Sequence, residues 1–174
     1  MTSSLYDISV ASYLQTLDAT RGFLQKGLDW AGANGVDPEE LVEARLAGDM
    51  HPLRFQVQQV VFHSAGAVEA IRGGVLAFGG ERPKHDYAGL QAAVVEAAET
   101  LRKLSPAEVN GLEGNDVAFR VPGKDDRVFT AAGFVLTFSV PNLHFHAATA
   151  YGILRMKGVP LGKLDFMGAL RLKG

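Results

Sequence analysis

The sequence predicts an all-α protein, an up-down four-helix bundle with a small β-hairpin before the fourth helix. Three observations predict it. Four long stretches carry apolar residues at helical spacing. Cap signals punctuate their ends. One short region alternates instead, with Val117, Phe119 and Val121 leading through the turn-like "PGKDD" to Arg127, Val128 and Phe129.

The elements follow in order. Val10, Leu14, Leu17, Leu24 and Leu28 fall on one stripe of a first helix from Tyr6 to Ala33. Asp37 is placed as an N-cap, with Pro38 at the first helical position and Glu40 closing a capping box, so a short helix follows. "GDMHPLRFQ" opens the second long helix, with Pro52 in its first turn and Gly73-Gly74 at its end. The stretch 74–85 is rich in Gly and Pro and reads as a loop. Tyr87, Leu90, Val94, Ala97, Leu101 and Leu104 form the third long helix, capped by Asp86, and "SPAE" (105–108) is another capped turn. Thr130 caps a fourth helix that runs to Lys157, with Gly158 just beyond it. Pro141 lies inside that helix, where a missing N–H and a ring clash predict a kink or break. "VPLGKLDFMGAL" reads as a tail that packs back on the bundle, with Lys163 able to meet an anion at a pocket mouth.

The chain has 174 residues, which suits a single domain over 1–174. Hydrophobic residues make up 47%, so the composition is that of a folded protein. A formal charge of −2 gives no footprint for nucleic acid. The absence of cysteine excludes disulfides, thiolate metal sites and a cysteine nucleophile. "MTSSLYDISVASYLQ" has no basic region or long apolar run, so no signal peptide is expected. No stretch is long and apolar enough to span a bilayer, and a soluble cytoplasmic protein is expected. "GGVLAFGG" lacks the preceding strand and the Lys-Ser/Thr ending of a phosphate-binding loop.

Function turns on "SVPNLHFHAATAYGILRMKG" (139–158), where His144 and His146 are one residue apart. On a strand both rings would share a face. On a helix they point about 200° apart. Ala147 to Lys157 is alanine-rich and lacks alternation, so the segment reads as helix. His146 then shares the inward side with Asn142, Leu143, Thr149, Ala150, Ile153 and Leu154. His144 joins Ala148, Tyr151 and Arg155 on the other side, where a surface or subunit contact is expected. On the second helix, Arg54, Gln58, Glu69 and Arg72 define a solvated face. His63 lies opposite, beside Gln56, Gln59 and Ala67.

Two helices thus each place a histidine at the centre of an inward face. Buried polar groups cost free energy unless partnered, so His63, His146, Gln56, Gln59, Asn142 and Thr149 read as a polar pocket. The residues leave two uses open, a metal or catalytic centre and a satisfied hydrogen-bond network. Asn142 has two readings as well, a ligand or a partner for the carbonyl that Pro141 frees. Arg21 falls on the apolar stripe of the first helix. It either snorkels or pairs with a carboxylate, or it lines the pocket and anchors a substrate carboxylate. His51, beside Asp49, belongs to a helix start, with a lid as the second reading, and His85 has no expected role.

Three stretches, "SLYDISVASYLQTL", "ARLAGDMHPLRFQVQQ" and "VPNLHFHAATAYGILRMKGVPLGKLDF", resemble in this order a bacterial family of unknown function. That family is grouped with the DinB/YfiT-like metalloenzymes, and the likeness spans nearly the whole chain. The resemblance implies a DinB-like four-helix bundle. It also implies a divalent metal held by three histidines, one from the second helix and two from an H-x-x-x-H on the fourth. Carried over, the second-helix ligand matches His63 and the last histidine matches His146. The remaining position holds Asn142, a departure. An amide oxygen is a weak, hard ligand, whereas imidazole suits zinc, nickel and iron. The implied metal is therefore expected to be bound weakly or to be absent from the isolated protein.

The resemblance leaves two functional expectations. One is a metal-dependent enzyme of the hydrolase or thiol-cofactor transferase type with a buried two-histidine pocket. The other is a non-catalytic module, binding a small molecule or serving as a structural dimer, with a degenerate metal site. A homodimer is expected because Phe134, Phe138, Phe145 and Tyr151 lie partly off the inward face.

Overall fold

A computed structural model describes residues 3–80 and 82–172. The expected first helix is two helices. Ser4 and Asp7 form a capping box for α1 (Leu5–Ile8), the backbone breaks at Ser9, and α2 (Val10–Asn34) follows. Gly35, at φ 65°, ends α2 in the left-handed conformation that glycine adopts without strain. Asp37 caps α3 (Pro38–Val42) by accepting from the Glu39 N–H at 3.0 Å. The expected box with Glu40 does not form. Glu39 is used instead, and its carboxylate accepts from the Tyr87 N–H at 2.8 Å, which ties α3 to the start of the third long helix.

The second long helix is interrupted too. α4 (Leu53–Phe62) ends at His63, and α5 (Ala65–Gly73) restarts after Ser64. The Ser64 hydroxyl donates to the Val60 carbonyl at 2.6 Å, a local bond that competes with the helical ladder. His63 therefore sits at a helix end rather than mid-helix. The stretch read as a loop contains β1 (Val75–Ala77). α6 (Tyr87–Arg102) is capped by Asp86 as expected, and α7 (Pro106–Asn110) carries a Ser105–Glu108 capping box. The expected hairpin is present as β2 (Asp116–Arg120) and β3 (Arg127–Thr130), with Val117 opposite Phe129. β1 adds a third strand parallel to β2, with Leu76 beside Phe119. The protein is thus mostly helical with a small three-stranded sheet, not all-α.

Thr130 caps α8 (Ala131–Phe134), a π turn covers Val135–Ser139, and α9 (Val140–Met156) follows with Pro141 in its first turn. The distortion expected around Pro141 lies just before the proline. A residue without N–H fits the first turn of a new helical segment, and the wider π turn separates that segment from α8. α10 (Lys163–Met167) folds back on α2, where Lys26 pairs with Asp165 at 2.7 Å.

α2 packs on α6 and α9, and α4 packs on the same two helices. Tyr13, Leu17, Leu24, Val57, Leu90, Leu143 and Ile153 fill the space between them. Gly27 is required there. A Cβ at that position would collide with the Tyr87 hydroxyl, which donates to the Leu24 carbonyl at 2.7 Å. The aromatics of the fourth helix are mostly inside. Phe134 is fully buried, Phe138 and Tyr151 pack on the core, and only Phe145 is exposed, at 59%. No helix among the described residues is long and apolar enough to cross a membrane.

Candidate functional site

Two helix irregularities face each other and build the site. His63 ends α4, and Ser139 lies in the π turn. The Ser139 hydroxyl donates to the His63 carbonyl at 2.8 Å. Its single proton is then committed, so the Tyr13 hydroxyl, 2.7 Å away, donates to Ser139. Burial pushes the Tyr13 pKa up, which keeps that proton in place.

The His63 ring is buried, with 4% of the residue exposed. The edges of Phe62 and Phe138 flank it at 5.1 and 5.5 Å. The His146 ring lies 5.8 Å away with its plane only 9° off parallel. His63 Nδ1 is buried and has no hydrogen-bond partner among the described residues. His146 is half-buried, and its Nδ1 is 2.8 Å from Gln56 Oε1. The Gln56 amide nitrogen donates to the His51 carbonyl at 3.0 Å, which turns the oxygen toward His146. His146 therefore carries its proton on Nδ1 and a lone pair on Nε2.

Both rings are neutral at pH 7. Burial lowers the His63 pKa to about 3, with the repulsion of His146 and Arg82 acting in the same direction. Burial lowers His146 to about 4, again with Arg82 and then His51 contributing.

Arg82 is the site residue that periodicity misses, because its Gly/Pro-rich surroundings have no helical or strand period. The neighbouring Lys84 and His85 were the one signal, a short basic cluster in a loop. Gln58 anchors this segment to α4 by donating to the Pro83 carbonyl at 2.7 Å. The Arg82 guanidinium lies 5.0 Å from the Phe55 ring, 5.8 Å from Phe62 and 5.3 Å from Phe78. With its amide oxygen facing the guanidinium, Gln59 accepts from both terminal nitrogens at 2.7 and 2.8 Å. The cation is half-buried in an aromatic cage, and among the described residues it meets only a neutral acceptor there.

The structure brings His63, His146, Gln56 and Gln59 together as expected. It places the other candidates differently. Asn142 is half-buried, and its Nδ2 donates to the Phe138 carbonyl at 2.7 Å, one residue beyond the carbonyl that Pro141 was expected to free. Thr149 is buried, but its hydroxyl donates to the Phe145 carbonyl of its own helix at 2.7 Å. Arg21 is a correction: it is exposed and shares the solvated face of α2 with Asp18, Gln25 and Asp29. The buried stripe of α2 runs through Tyr13, Thr16, Thr20 and Gly27, small and polar residues that an apolar stripe passes over. His144 is exposed and lines a separate cleft with Leu136, Val140 and Phe166. His85 lines an apolar cavity of about 330 Å³ with Val57, Phe62 and Leu90.

These donors do not fit a resident divalent ion. Two neutral imidazoles make half a site. The Gln56 oxygen is taken by His146 and the Gln59 oxygen by Arg82, and Asn142, whose Nδ2 donates to its own helix, has only a neutral amide oxygen to give. Among the described residues no three His, Cys, Asp or Glu side chains are grouped to hold an ion. Arg82 adds a positive charge where a metal site needs negative or neutral donors.

Residues 5–167 match the model of a family described as a domain of unknown function, DUF1993. No curated protein matches the chain significantly. The crystal structure of a DinB family member protein from Shewanella denitrificans superimposes with a TM-score of 0.80 at 29% sequence identity, over 98% of this chain and 95% of that one.

Proposed function

We propose, from the premise that this chain belongs to the DUF1993 family, that it binds a small molecule at the His63–His146 pocket without a resident metal ion. We read α2, α4, α6 and α9 as the up-down four-helix bundle of a DinB-like fold, with the pocket between α4 and α9. The observation that carries the proposal is the unpartnered Nδ1 of His63. A buried polar atom left without a partner costs about 1–3 kcal/mol, and its neighbours Gln56 and Gln59 are both satisfied. A ligand that reaches His63 and the free Nε2 of His146 removes that cost. The hydrolase and thiol-cofactor transferase readings need the third metal ligand that Asn142 does not supply.

The test is a fragment screen on the full chain by NMR, with the ring carbon–proton signals of His63 and His146 as reporters. Fragments that shift both rings in the wild type, and no longer bind to His63→Phe, support the proposal. A diverse library that moves neither ring counts against it.

Homodimerisation belongs to the same proposal. It rests on Leu136 and Phe145, exposed at 55% and 59% on the fourth helix, because Phe134, Phe138 and Tyr151 pack into the core.

A further inference from the structure

A cleft of about 320 Å³ is walled in part by Phe55, whose ring meets that of His146. Its wall includes Arg45, Arg54, Arg82, Lys84, His51 and Phe55, and no carboxylate among the described residues. Phe55 joins the cleft to the pocket. Its ring stacks on His51 at 3.9 Å, meets His146 edge-on at 5.9 Å and carries the Arg82 guanidinium at 5.0 Å.

Of the four arginine and lysine cations of this wall, one has an ion pair among the described residues. Arg54 pairs with Glu43 at 2.7 Å outside the cleft wall. Arg45 donates to the Met50 carbonyl at 3.3 Å, a long bond to a neutral acceptor. Among the described residues, Lys84 and Arg82 have no ion pair, and Arg82 makes do with the Gln59 amide oxygen. The chain as a whole is slightly acidic, so this local excess of positive charge is not a property of the general surface.

We propose that this cleft binds the anionic head of a small molecule, a carboxylate or a phosphate, and that Arg82 is its anchor. The inference rests on the small-molecule reading of the pocket and names the ligand class. Four features support it. A planar guanidinium is built for two-point contact with a carboxylate or phosphate, and Gln59 now fills that role with a single neutral oxygen. Three aromatic rings hold Arg82 in place before any ligand arrives, which reduces the ordering cost of binding. His63 Nδ1, buried and unpartnered, and His146 Nε2 offer neutral ring nitrogens to the remainder of the same molecule. The cleft is concave and small, which suits a small anion rather than a nucleic-acid backbone, and its charge repels a metal cation.

The experiment titrates the full chain at low salt with inorganic phosphate and, separately, with malonate. Calorimetry reads affinity, and NMR reads the Arg82 Nε–H and the rings of His63 and His146. Saturable binding of either anion, with shifts at Arg82, is the expected result, and the tighter of the two identifies the head group. Arg82→Gln is expected to weaken binding about tenfold, the loss of one charge-assisted bidentate contact. Arg45→Gln, at an exposed position that does not threaten the fold, is expected to weaken it about threefold. If Arg82→Gln does not fold, the Arg45→Gln and Lys84→Gln pair carries the test. Shifts that grow linearly with added salt and never saturate overturn the inference, as does unchanged affinity in the folded variants. If neutral fragments reach the two rings while both anions fail, the anion inference falls and the pocket reading stands. If neither binds, both fall.

Discussion

The Ser139 hydroxyl and the His63 carbonyl are 2.8 Å apart, and this bond joins the π turn of the fourth helix to the broken end of the second. It satisfies a carbonyl that the helix break leaves without an intrahelical partner, and Tyr13 completes the chain from α2. Ser139→Ala is expected to lower stability by about 3 kcal/mol, because it strands both the His63 carbonyl and the Tyr13 hydroxyl in the core. Tyr13→Phe, which leaves the Ser139–His63 bond intact, is expected to lose about 1 kcal/mol. Urea unfolding of the two variants checks the ratio. Equal losses would mean that the serine contributes nothing beyond its bond to Tyr13.

The neutral His63 makes stability depend on pH with a definite sign. Its folded pKa is about 3, below the value near 6.5 of an exposed histidine. Between those values the unfolded chain binds a proton that the folded chain refuses. The stabilisation is fully present above pH 6.5, declines by up to about 1.4 kcal/mol per pH unit below it, and levels off below about pH 3. His146, lowered to about 4, adds a slope of the same sign. Urea titrations from pH 8 to 4.5 are expected to show this loss, and His63→Phe is expected to reduce the slope by about half. An identical slope in that variant would place the titration elsewhere.

Much of this site was legible in the sequence, and the missing parts have physical reasons. A helix turns each residue by a fixed angle, so the facing of His63 and His146, and the exclusion of His144, followed from periodicity alone. The breaks at Ser9 and Ser64 did not, since apolar spacing continues across them. In both cases a serine hydroxyl folds back to the carbonyl four residues earlier, Leu5 or Val60, and this leaves no mark on hydropathy. β1 has only three residues, too few to show alternation. Arg82 reaches the pocket from a loop, and the position of a loop is decided by contacts such as Gln58 with Pro83, not by any period. Arg21 was misplaced because Thr16, Thr20 and Gly27 bury a face of α2 that lacks large apolar side chains.

Leu136 and Phe145 are both exposed apolar side chains of the fourth helix. Light scattering at micromolar concentration is expected to give the mass of two chains. Phe145→Glu, which changes an exposed position and no core contact, is expected to return the mass to one chain with the helical spectrum unchanged. A wild type of single-chain mass would remove the dimer from the proposal.

Asn142 separates the metal question from the anion question. It lies one turn before His146 on the same face of α9, so Asn142→His places a second imidazole at the spacing of two ligands on one helix. The change also removes the bond from Asn142 Nδ2 to the Phe138 carbonyl, at a cost of about 1 kcal/mol. Zinc is expected to bind the wild type weakly or not at all, and Asn142→His at least about tenfold more tightly, the gain of one neutral donor. Arg82 opposes the ion in both proteins. Adding Arg82→Gln to Asn142→His is therefore expected to tighten zinc further while it weakens phosphate or malonate. This opposite movement of cation and anion affinity distinguishes a charge effect at the pocket from a general loosening of the fold, which would weaken both. Calorimetry on the wild type, both single variants and the double variant measures it. If Arg82→Gln leaves zinc and anion affinities unchanged, the guanidinium does not control the site.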